Sequence, residues 1–383
     1  MSLGPALELV RGGARAVVLL VAGSRPECIK LAPVARALGR SELLTPVVLN
    51  SGQQPEVVRS SFAEFSVRRT VDLDAMPAFT HLQPACDHLE RGIREAVRRI
   101  GPAVVVVAGN TPTSYAAARA GHAEGVSVAH IEAGLRTDNS MTPFPEEWLR
   151  REITRYAQMH FASCKTAVSN LVGDGVDLHS IYQVGSPGID TLFRALRDLG
   201  APVDEDEPRS TLLVTLHRSE NYDRGAELLC ESLIQLCKLD PRLHVVFPLH
   251  ANPRIIAPVR RRLRWLERCE ITGTMPYRDF IAVARRAALI ISDSGGIQEE
   301  APHLGVAMVV PRINTERPEA LATGWVELAD VRRGTLVNVA TQALAKARGP
   351  ALPIDTAAPF GAGNAGARIV RILENRSGVQ RSA

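Results

Sequence analysis

The stretch SDSGGIQEEAP, residues 292–302, joins an apolar run to a predicted helix. It places Ser294, Gly295 and Gly296 at the helix N-terminus, where free backbone N–H groups and the positive end of the helix dipole bind anions. Glu300, one turn further, could accept hydrogen bonds from sugar or ribose hydroxyls. Serine followed by glutamates is also an ordinary helix cap, but two consecutive glycines help a helix start little. We therefore favour a ligand-binding interpretation of this motif.

Basic side chains follow apolar runs in both halves of the chain. In GSRPECIK, Arg25 offers a guanidinium fork to phosphate or carboxylate, and Lys30 follows one to two turns along the predicted helix. His217 and Arg218 end the run TLLVTLHR, and His250 ends VVFPLH. These histidines could contact a phosphate or donate a proton to a leaving group. A hydrogen-bonded structural role is the alternative for each of them taken singly.

Acidic residues occupy similar positions. Glu132 comes directly after the apolar run VSVAHI, and Glu146 and Glu147 follow two prolines. Two carboxylates from separate loops could flank one substrate carbon, as acid–base catalysis requires. The alternative for Glu146 and Glu147 is favourable charge at a helix N-terminus. Arg317, in NTERPEA, lies just beyond another apolar run.

The elements that must position these residues are strands buried on both faces. Runs such as AVVVVA and AALIIS lack polar alternation, which is typical of a parallel sheet covered by helices. Strands alternate with amphipathic stretches, so the sequence predicts an α/β fold with doubly wound parallel sheets. The predicted strands are residues 16–21, 46–50, 103–108, 126–130, 160–162, 181–184, 211–216, 243–248, 269–272, 287–292 and 306–310.

The acidic, proline-containing stretch at residues 198–210 is the predicted linker. We predict a Rossmann-like domain at residues 1–195, a second Rossmann-like, nucleotide-binding domain at 210–355, and a C-terminal helix within 356–383 that packs back on the first domain. Two such domains facing each other would form a cleft at the carboxyl ends of their strands. Two unrelated α/β domains without a shared cleft are the alternative.

Composition excludes several classes of protein. The 383 residues are 45% hydrophobic and 22% charged, which is typical of a folded globular chain. A net charge of +4 and 4% aromatic residues argue against nucleic acid as a partner. Six scattered cysteines without a CxxC pair favour neither disulfides nor zinc, and no cofactor or metal motif is present. No apolar stretch approaches the roughly 18 residues of a membrane span, so we expect a soluble, cytoplasmic protein.

Taken in order, the motifs resemble those of the bacterial non-hydrolysing UDP-N-acetylglucosamine 2-epimerases. The motifs that carry the resemblance are GSRPECIKLAPV, HIEAGLRTDNSMTPFPEE, VTLHRSEN, FPLHANP, DSGGIQEEAPHLGVAMVV and NTERPEA. The resemblance runs from about Val17 to Leu373. It implies a two-domain fold of the GT-B type, a homodimer, and a UDP-sugar substrate held between the domains. The implied reaction interconverts UDP-GlcNAc and UDP-ManNAc, with UDP eliminated and added back after C2 is reprotonated on the other face.

The resemblance also implies a role for individual residues. It places Glu132 and Glu146 among the catalytic acids and bases, and His217 beside the departing diphosphate. The implied substrate-binding residues are Arg25, Lys30, Arg136, Arg218, His250, Ser294, Gly295, Gly296, Glu300 and Arg317.

Two positions depart from the family pattern. Asn110 stands where the family has a catalytic aspartate, and an amide cannot exchange a proton at neutral pH. We therefore expect Asn110 to orient the substrate while Glu132 and Glu146 transfer the protons. Gln53–Gln54 replaces a Gln-His pair near which some bacterial members bind a regulatory substrate molecule. A hydrolysing epimerase releasing UDP and ManNAc, a GT-B glycosyltransferase and a non-catalytic nucleotide-sugar binder are the alternatives.

Overall fold

A computed structural model describes residues 15–67, 70–137, 139, 143–200, 209–249, 252–347 and 359–376. The described residues up to Thr191, with those from Pro359 onwards, form one compact unit, called unit 1. Those from Leu192 to Ala358 form unit 2. Each unit contains one parallel sheet with interleaved helices, which confirms the predicted doubly wound α/β fold. The domain boundaries named above stay predictions.

Unit 1 contains seven described strands in the order β3-β2-β1-β4-β5-β6-β7. Its strands are β1 (Ala16–Ala22), β2 (Leu44–Asn50), β3 (Thr70–Asp72), β4 (Val104–Ala108), β5 (Ser127–Ala133), β6 (Met159–Ala162) and β7 (Ile181–Gln183). Its helices are α1 (Arg25–Leu38), α2 (Pro55–Glu64), α3 (Leu82–Ile100), α4 (Pro112–Ala123), α5 (Glu146–Tyr156), α6 (Lys165–Gly173) and the start of α7 (Pro187–Leu199).

Unit 2 contains six described strands in the order β10-β9-β8-β11-β12-β13. Its strands are β8 (Thr211–Thr215), β9 (His244–Pro248), β10 (Cys269–Thr272), β11 (Ala287–Ser292), β12 (Met308–Val310) and β13 (Val326–Leu328). Its helices are α8 (Arg224–Leu239), α9 (Pro253–Leu263), α10 (Tyr277–Ala284), α11 (Gly295–Leu304), α12 (Pro318–Ala322) and α13 (Leu336–Ala347), with α14 (Ala365–Arg376) returning to unit 1.

The central strands are buried along their whole length. All five residues of β4 and all six of β11 are buried, as expected for strands with helices on both faces. Strands β1 and β4 are neighbours in one sheet, and β8 and β11 are neighbours in the other. The loops after each pair therefore meet at one edge of their sheet, and these edges carry the residues singled out above.

Helix α14 completes unit 1 from a distant part of the sequence. The carboxylate of Asp190 accepts hydrogen bonds from the backbone N–H groups of Ala365 and Gly366, both at 3.0 Å. A Cβ added at Gly366 would lie 3.0 Å from the backbone of Pro33 in α1, so glycine permits close helix packing there. Among the described residues, no helix is both long and apolar enough to cross a membrane.

Candidate active site

A buried carboxylate organises the strand-end loops of unit 1. Glu27 Oε2 accepts hydrogen bonds from Gly23 N (2.9 Å) and Ser24 Oγ (2.8 Å) in the loop after β1. Its Oε1 accepts from Thr111 Oγ1 (2.5 Å) and Ser114 Oγ (2.8 Å), which follow β4. Glu27 therefore joins the loop that carries Arg25 to the loop that carries Asn110.

Glu132 and Lys30 form an ion pair at the same edge of the sheet. Lys30 Nζ donates to Glu132 Oε2, and the two side chains are only 12% and 7% exposed. Glu132 has φ +67°, which is rare for a non-glycine residue, and it lies at an irregularity in the pairing of β5 with β6. Such bulges re-aim a side chain and recur beside active sites. The structure thus brings together two residues that the sequence placed 102 positions apart.

The loop after β4 is held by contacts with β5 and with the first residue of α5. His130 Nε2 contacts the Gly109 carbonyl oxygen at 2.7 Å, and burial lowers the pKa of His130 to about 3. The imidazole is therefore neutral and donates to the carbonyl. Asn110 Nδ2 donates to the main-chain oxygen of Glu146 at 3.3 Å. A carboxylate at position 110 could not donate this hydrogen bond.

Three neighbouring charged residues of unit 1 contribute to structure. The Glu147 carboxylate is fully buried and accepts from Arg150 Nη1 and Arg151 Nε, both at 2.9 Å, and from Thr137 N at 3.2 Å. This is a different role from that of its neighbour Glu146, the first residue of α5. Of the acidic pair in the sequence, Glu147 is thus the one that anchors the helix.

Arg136, a predicted substrate-binding residue, contacts protein groups. Its guanidinium donates to Asp174 Oδ2 at 2.7 Å and to Thr154 Oγ1 at 3.1 Å, and its side chain is 8% exposed. Arg25, by contrast, is the first residue of α1 and is partly buried, at the edge where Lys30 and Glu132 meet. The substrate-binding role of each stays a prediction.

In unit 2, Asp293 organises the corresponding loops. Its carboxylate accepts hydrogen bonds from His217 N (2.9 Å), Arg218 N (3.0 Å) and Asn221 Nδ2 (2.8 Å). Asp293 is fully buried between β11 and α11. It therefore fixes the backbone that carries the predicted leaving-group histidine.

The N-terminus of α11 is open in the way that an anion site requires. Ser294 occupies the N-cap position, but its side chain makes no capping hydrogen bond. A Cβ added at Gly295 would clash with the guanidinium of Arg317, whereas a Cβ at Gly296 would meet no described atom outside its own helix within 4 Å. Packing against Arg317 therefore explains the glycine at 295. At Gly296 the missing side chain instead leaves space beside backbone amides. The ordinary capping alternative accounts for neither the uncapped serine nor this space.

Arginines surround a buried carboxylate beneath this helix. Glu316 accepts from Arg218 Nη2 (3.0 Å), Arg312 Nη1 (2.9 Å) and Arg317 Nη1 (2.7 Å). Arg317 also donates to Glu299 Oε1 at 2.7 Å. Two of the predicted substrate-binding residues, Arg218 and Arg317, thus belong to this ion-pair network. Charge pairing of this kind reduces the repulsion that these carboxylates would exert on an anionic ligand.

The last two predicted substrate-binding residues are Glu300 and His250. Glu300 is buried one turn into α11 and accepts a hydrogen bond from Tyr277. His250 lies outside the described residues. The described part of the chain contains no cluster of three or more His, Cys, Asp or Glu residues arranged to hold a metal ion.

Comparison with known proteins identifies the family. The model of the UDP-N-acetylglucosamine 2-epimerase family matches residues 36–374. This chain belongs to that family. The resemblance inferred from the motifs is therefore confirmed, and Asn110 lies inside the part of the chain that the family model matches.

Individual 2-epimerases match over nearly their whole length. The UDP-N-acetylglucosamine 2-epimerase of Yersinia pestis is 33% identical over 369 residues, covering 94% of this chain and 98% of the relative. A crystal structure of the Neisseria meningitidis enzyme bound to UDP-GlcNAc has a TM-score of 0.89 at 32% identity, covering 94% and 100%. The Methanocaldococcus jannaschii enzyme in complex with UDP-GlcNAc and UDP has a TM-score of 0.82 at 28% identity, covering 94% and 99%.

Sequence reasoning missed the residues that hold the site together. Glu27 and Asp293 both lie inside motifs that pointed to function, yet neither was assigned a role. The signal was present in each motif, because a carboxylate directly beside strand-end glycines and serines has backbone N–H groups and hydroxyls as its nearest donors. Tyr277 had no such local signal, because its partner Glu300 is 23 positions away.

Proposed function

We propose that this chain is a nucleotide-sugar isomerase that interconverts UDP-GlcNAc and UDP-ManNAc. The observation that carries the proposal is the N-terminus of α11, where uncapped Ser294 and open Gly296 lie beside free amide groups. A diphosphate matches this site in charge and in its need for several hydrogen-bond donors. The names of the relatives, and the UDP-GlcNAc and UDP in two related structures, support the same substrate.

The chemistry divides between binding the diphosphate and moving protons. The C2–H bond of the sugar is only weakly acidic, so departure of UDP must be assisted strongly. Backbone amides at the start of α11 and the side chains of Ser294 and His217 would stabilise the charge that develops on the leaving diphosphate. Asp293 keeps His217 in place for this task.

Proton transfer at C2 falls to unit 1. Inversion requires a base on one face of C2 and an acid on the other, and Glu132 and Glu146 would supply this pair. Lys30, in contact with Glu132, would hold that carboxylate in place and supply positive charge beside it. Asn110 contributes no proton and orients the groups around it.

We also propose the finer properties that the family resemblance implies. These are the predicted domain boundaries, the roles of the predicted site residues, a homodimer and a cytoplasmic location. Light scattering should give a mass of twice 41.4 kDa if the dimer forms in solution. Cell fractionation should recover the protein with cytoplasmic markers, and recovery elsewhere would refute that location.

Proton NMR of UDP-GlcNAc incubated with the protein in D2O tests the reaction. The proposal requires deuterium at C2 and a pool of UDP-ManNAc, with little free UDP. Equal amounts of UDP and free ManNAc would establish the hydrolysing alternative instead. Tight UDP-GlcNAc binding without label or product would indicate a binder, and no binding at all would refute this substrate.

A further inference from the structure

Two consecutive glutamates of α11 have different kinds of partner. Glu299 Oε1 accepts from the guanidinium of Arg317 at 2.7 Å, as part of the buried ion-pair network. Glu300 Oε1 accepts from the phenol of Tyr277 at 2.8 Å. All four side chains are buried. One donor to Glu299 is thus a charged guanidinium, and one donor to Glu300 is a neutral phenol.

A neutral donor orients a carboxylate without cancelling its charge. The last torsion of a glutamate side chain is broad, so an unheld carboxylate samples many orientations. The hydrogen bond from Tyr277 restricts that torsion, and the two oxygens of a carboxylate offer about four acceptor positions in all. Bonds from hydroxyls to an ionised acceptor are among the stronger ones in proteins. The arrangement suits recognition of a neutral diol.

Tyr277 is itself well placed for this task. It is the first residue of α10 and is 4% exposed, so its ring is fixed by packing. Its hydroxyl reaches from α10 to α11 and meets Glu300 one turn inside the helix whose N-terminus forms the proposed diphosphate site. A nucleoside diphosphate bound there has its ribose next to its phosphates.

We propose that Tyr277 is a positioning residue for ribose recognition, because it holds the Glu300 carboxylate in the orientation that accepts the ribose 2′- and 3′-hydroxyls. The proposal rests on the proposed function, which places the ribose at Glu300. It assigns to Tyr277 a share of the selectivity for ribonucleotides, through Glu300 and without contact with the ribose.

The test compares two ligands that differ only in the diol. Isothermal titration calorimetry measures the affinity of the full chain for UDP and for 2′,3′-dideoxy-UDP. Wild type should prefer UDP, and Tyr277→Phe should lower UDP affinity about tenfold while dideoxy-UDP affinity stays unchanged. Glu300→Gln should show the same selective loss. Tyr182→Phe removes a phenol hydroxyl from unit 1 and should leave both affinities at wild-type values.

Each other outcome identifies what fails. If Tyr277→Phe prefers UDP over dideoxy-UDP as strongly as wild type does, the role of Tyr277 is overturned while that of Glu300 stands. If wild type binds UDP and dideoxy-UDP equally, Glu300 does not recognise the ribose hydroxyls. A wild type that binds neither refutes the proposed function itself. Should Tyr277→Phe fail to fold, Glu300→Asp keeps the phenol but draws the carboxylate away from it, and retained selectivity there would contradict the proposal.

Discussion

Glu27 in unit 1 and Asp293 in unit 2 have the same structural role, but the groups around them differ. Each is a buried carboxylate that accepts at least three hydrogen bonds and ties together loops from neighbouring strands. In unit 1 the donors are mainly hydroxyls, one of the joined loops carries Asn110, and Lys30 and Glu132 lie close to that loop. In unit 2 the donors are mainly backbone amides, and the adjacent helix presents an open N-terminus.

The two sheet edges therefore suit different tasks. Unit 1 holds a close lysine–glutamate pair at a strained backbone position, which suits proton transfer. Unit 2 pairs Glu299 and Glu316 with arginines and leaves helix amides for an anion. Changes in unit 1 should therefore alter rate more than binding, and changes at α11 should alter binding first.

The largest expected effect comes from removing a carboxylate of unit 1. Glu132→Gln and Glu146→Gln should each slow C2 exchange in D2O by about 10²–10⁴-fold, because a positioned acid or base contributes that much. UDP affinity by calorimetry should stay near the wild-type value. Glu152→Gln, on the same helix as Glu146 but paired with Arg155, is the matched control and should exchange normally. Normal exchange in both site variants would show that unit 1 does not transfer the protons.

The next effect distinguishes the two glycines of α11. Gly296→Ala places a methyl group where no described residue outside the helix comes within 4 Å. It should lower UDP affinity roughly 10–100-fold through loss of charge-assisted hydrogen bonds, with an unchanged melting temperature. Gly295→Ala clashes with Arg317 and should lower the melting temperature as well. Calorimetry and thermal unfolding of both variants measure the contrast. Unchanged UDP affinity in Gly296→Ala would exclude this helix end as the diphosphate site.

Acid should weaken unit 1 through its buried histidine. Burial lowers the pKa of His130 far below its unfolded value near 6.5, so the unfolded chain binds a proton that the folded chain excludes. The stability from His130 is complete above pH 6.5 and falls by about 1.4 kcal/mol per pH unit as the pH drops towards 3. His130→Gln should flatten this loss, while His179→Gln at the surface should not.

Urea unfolding at pH 7, 6 and 5 measures that slope. Fluorotryptophan labelling separates Trp148 of unit 1 from Trp325 of unit 2 by fluorine NMR, so each unit is followed by itself. Burial also lowers the pKa of His160 in unit 1 and of His303 in unit 2. Unit 1 thus contains two histidines whose pKa is lowered, His130 and His160, whereas unit 2 contains His303. Unit 1 should therefore lose stability faster on acidification. Equal slopes for the two tryptophans would contradict this difference between the units.

The smallest expected effect concerns the unusual amide. In Asn110→Asp the carboxylate would face the Glu146 carbonyl oxygen without a hydrogen to donate, costing about 0.5–1.5 kcal/mol of stability at pH 8. The cost should shrink near pH 4, where a protonated aspartate can donate again. C2 exchange should not exceed the wild-type rate. Faster exchange in this variant would show that the natural chain lacks a proton donor that the aspartate restores.

The sheets could be predicted from the sequence because long apolar runs indicate buried strands. All eleven predicted strands overlap observed ones, including the fully buried β4 and β11. The two that were missed, β3 and β13, have three residues each and lie at the edges of their sheets. In both, the valine is followed by an acidic residue, so neither strand contains two adjacent apolar residues that would mark it in the sequence.

Within the candidate site, residue types were predictable and partnerships were not. Motifs pointed to Lys30 and Glu132 separately, because each follows a predicted strand. Their ion pair, and the bonds that Glu27 accepts from residues 84 and 87 positions away, depend on which strands become neighbours. The order of strands in a sheet is a property of the whole chain, so local spacing cannot supply these contacts.

Helix α14 has a consequence for how the protein is made. Its first turn is capped by Asp190, and it packs against α1, the helix that carries Lys30. Asp190 and the first turn of α14 are about 175 residues apart in the chain. During synthesis, unit 1 therefore cannot be completed until all of unit 2 has been synthesised. Unit 1, for which we propose proton transfer, is therefore completed after unit 2, for which we propose anion binding, although its first strands are encoded first.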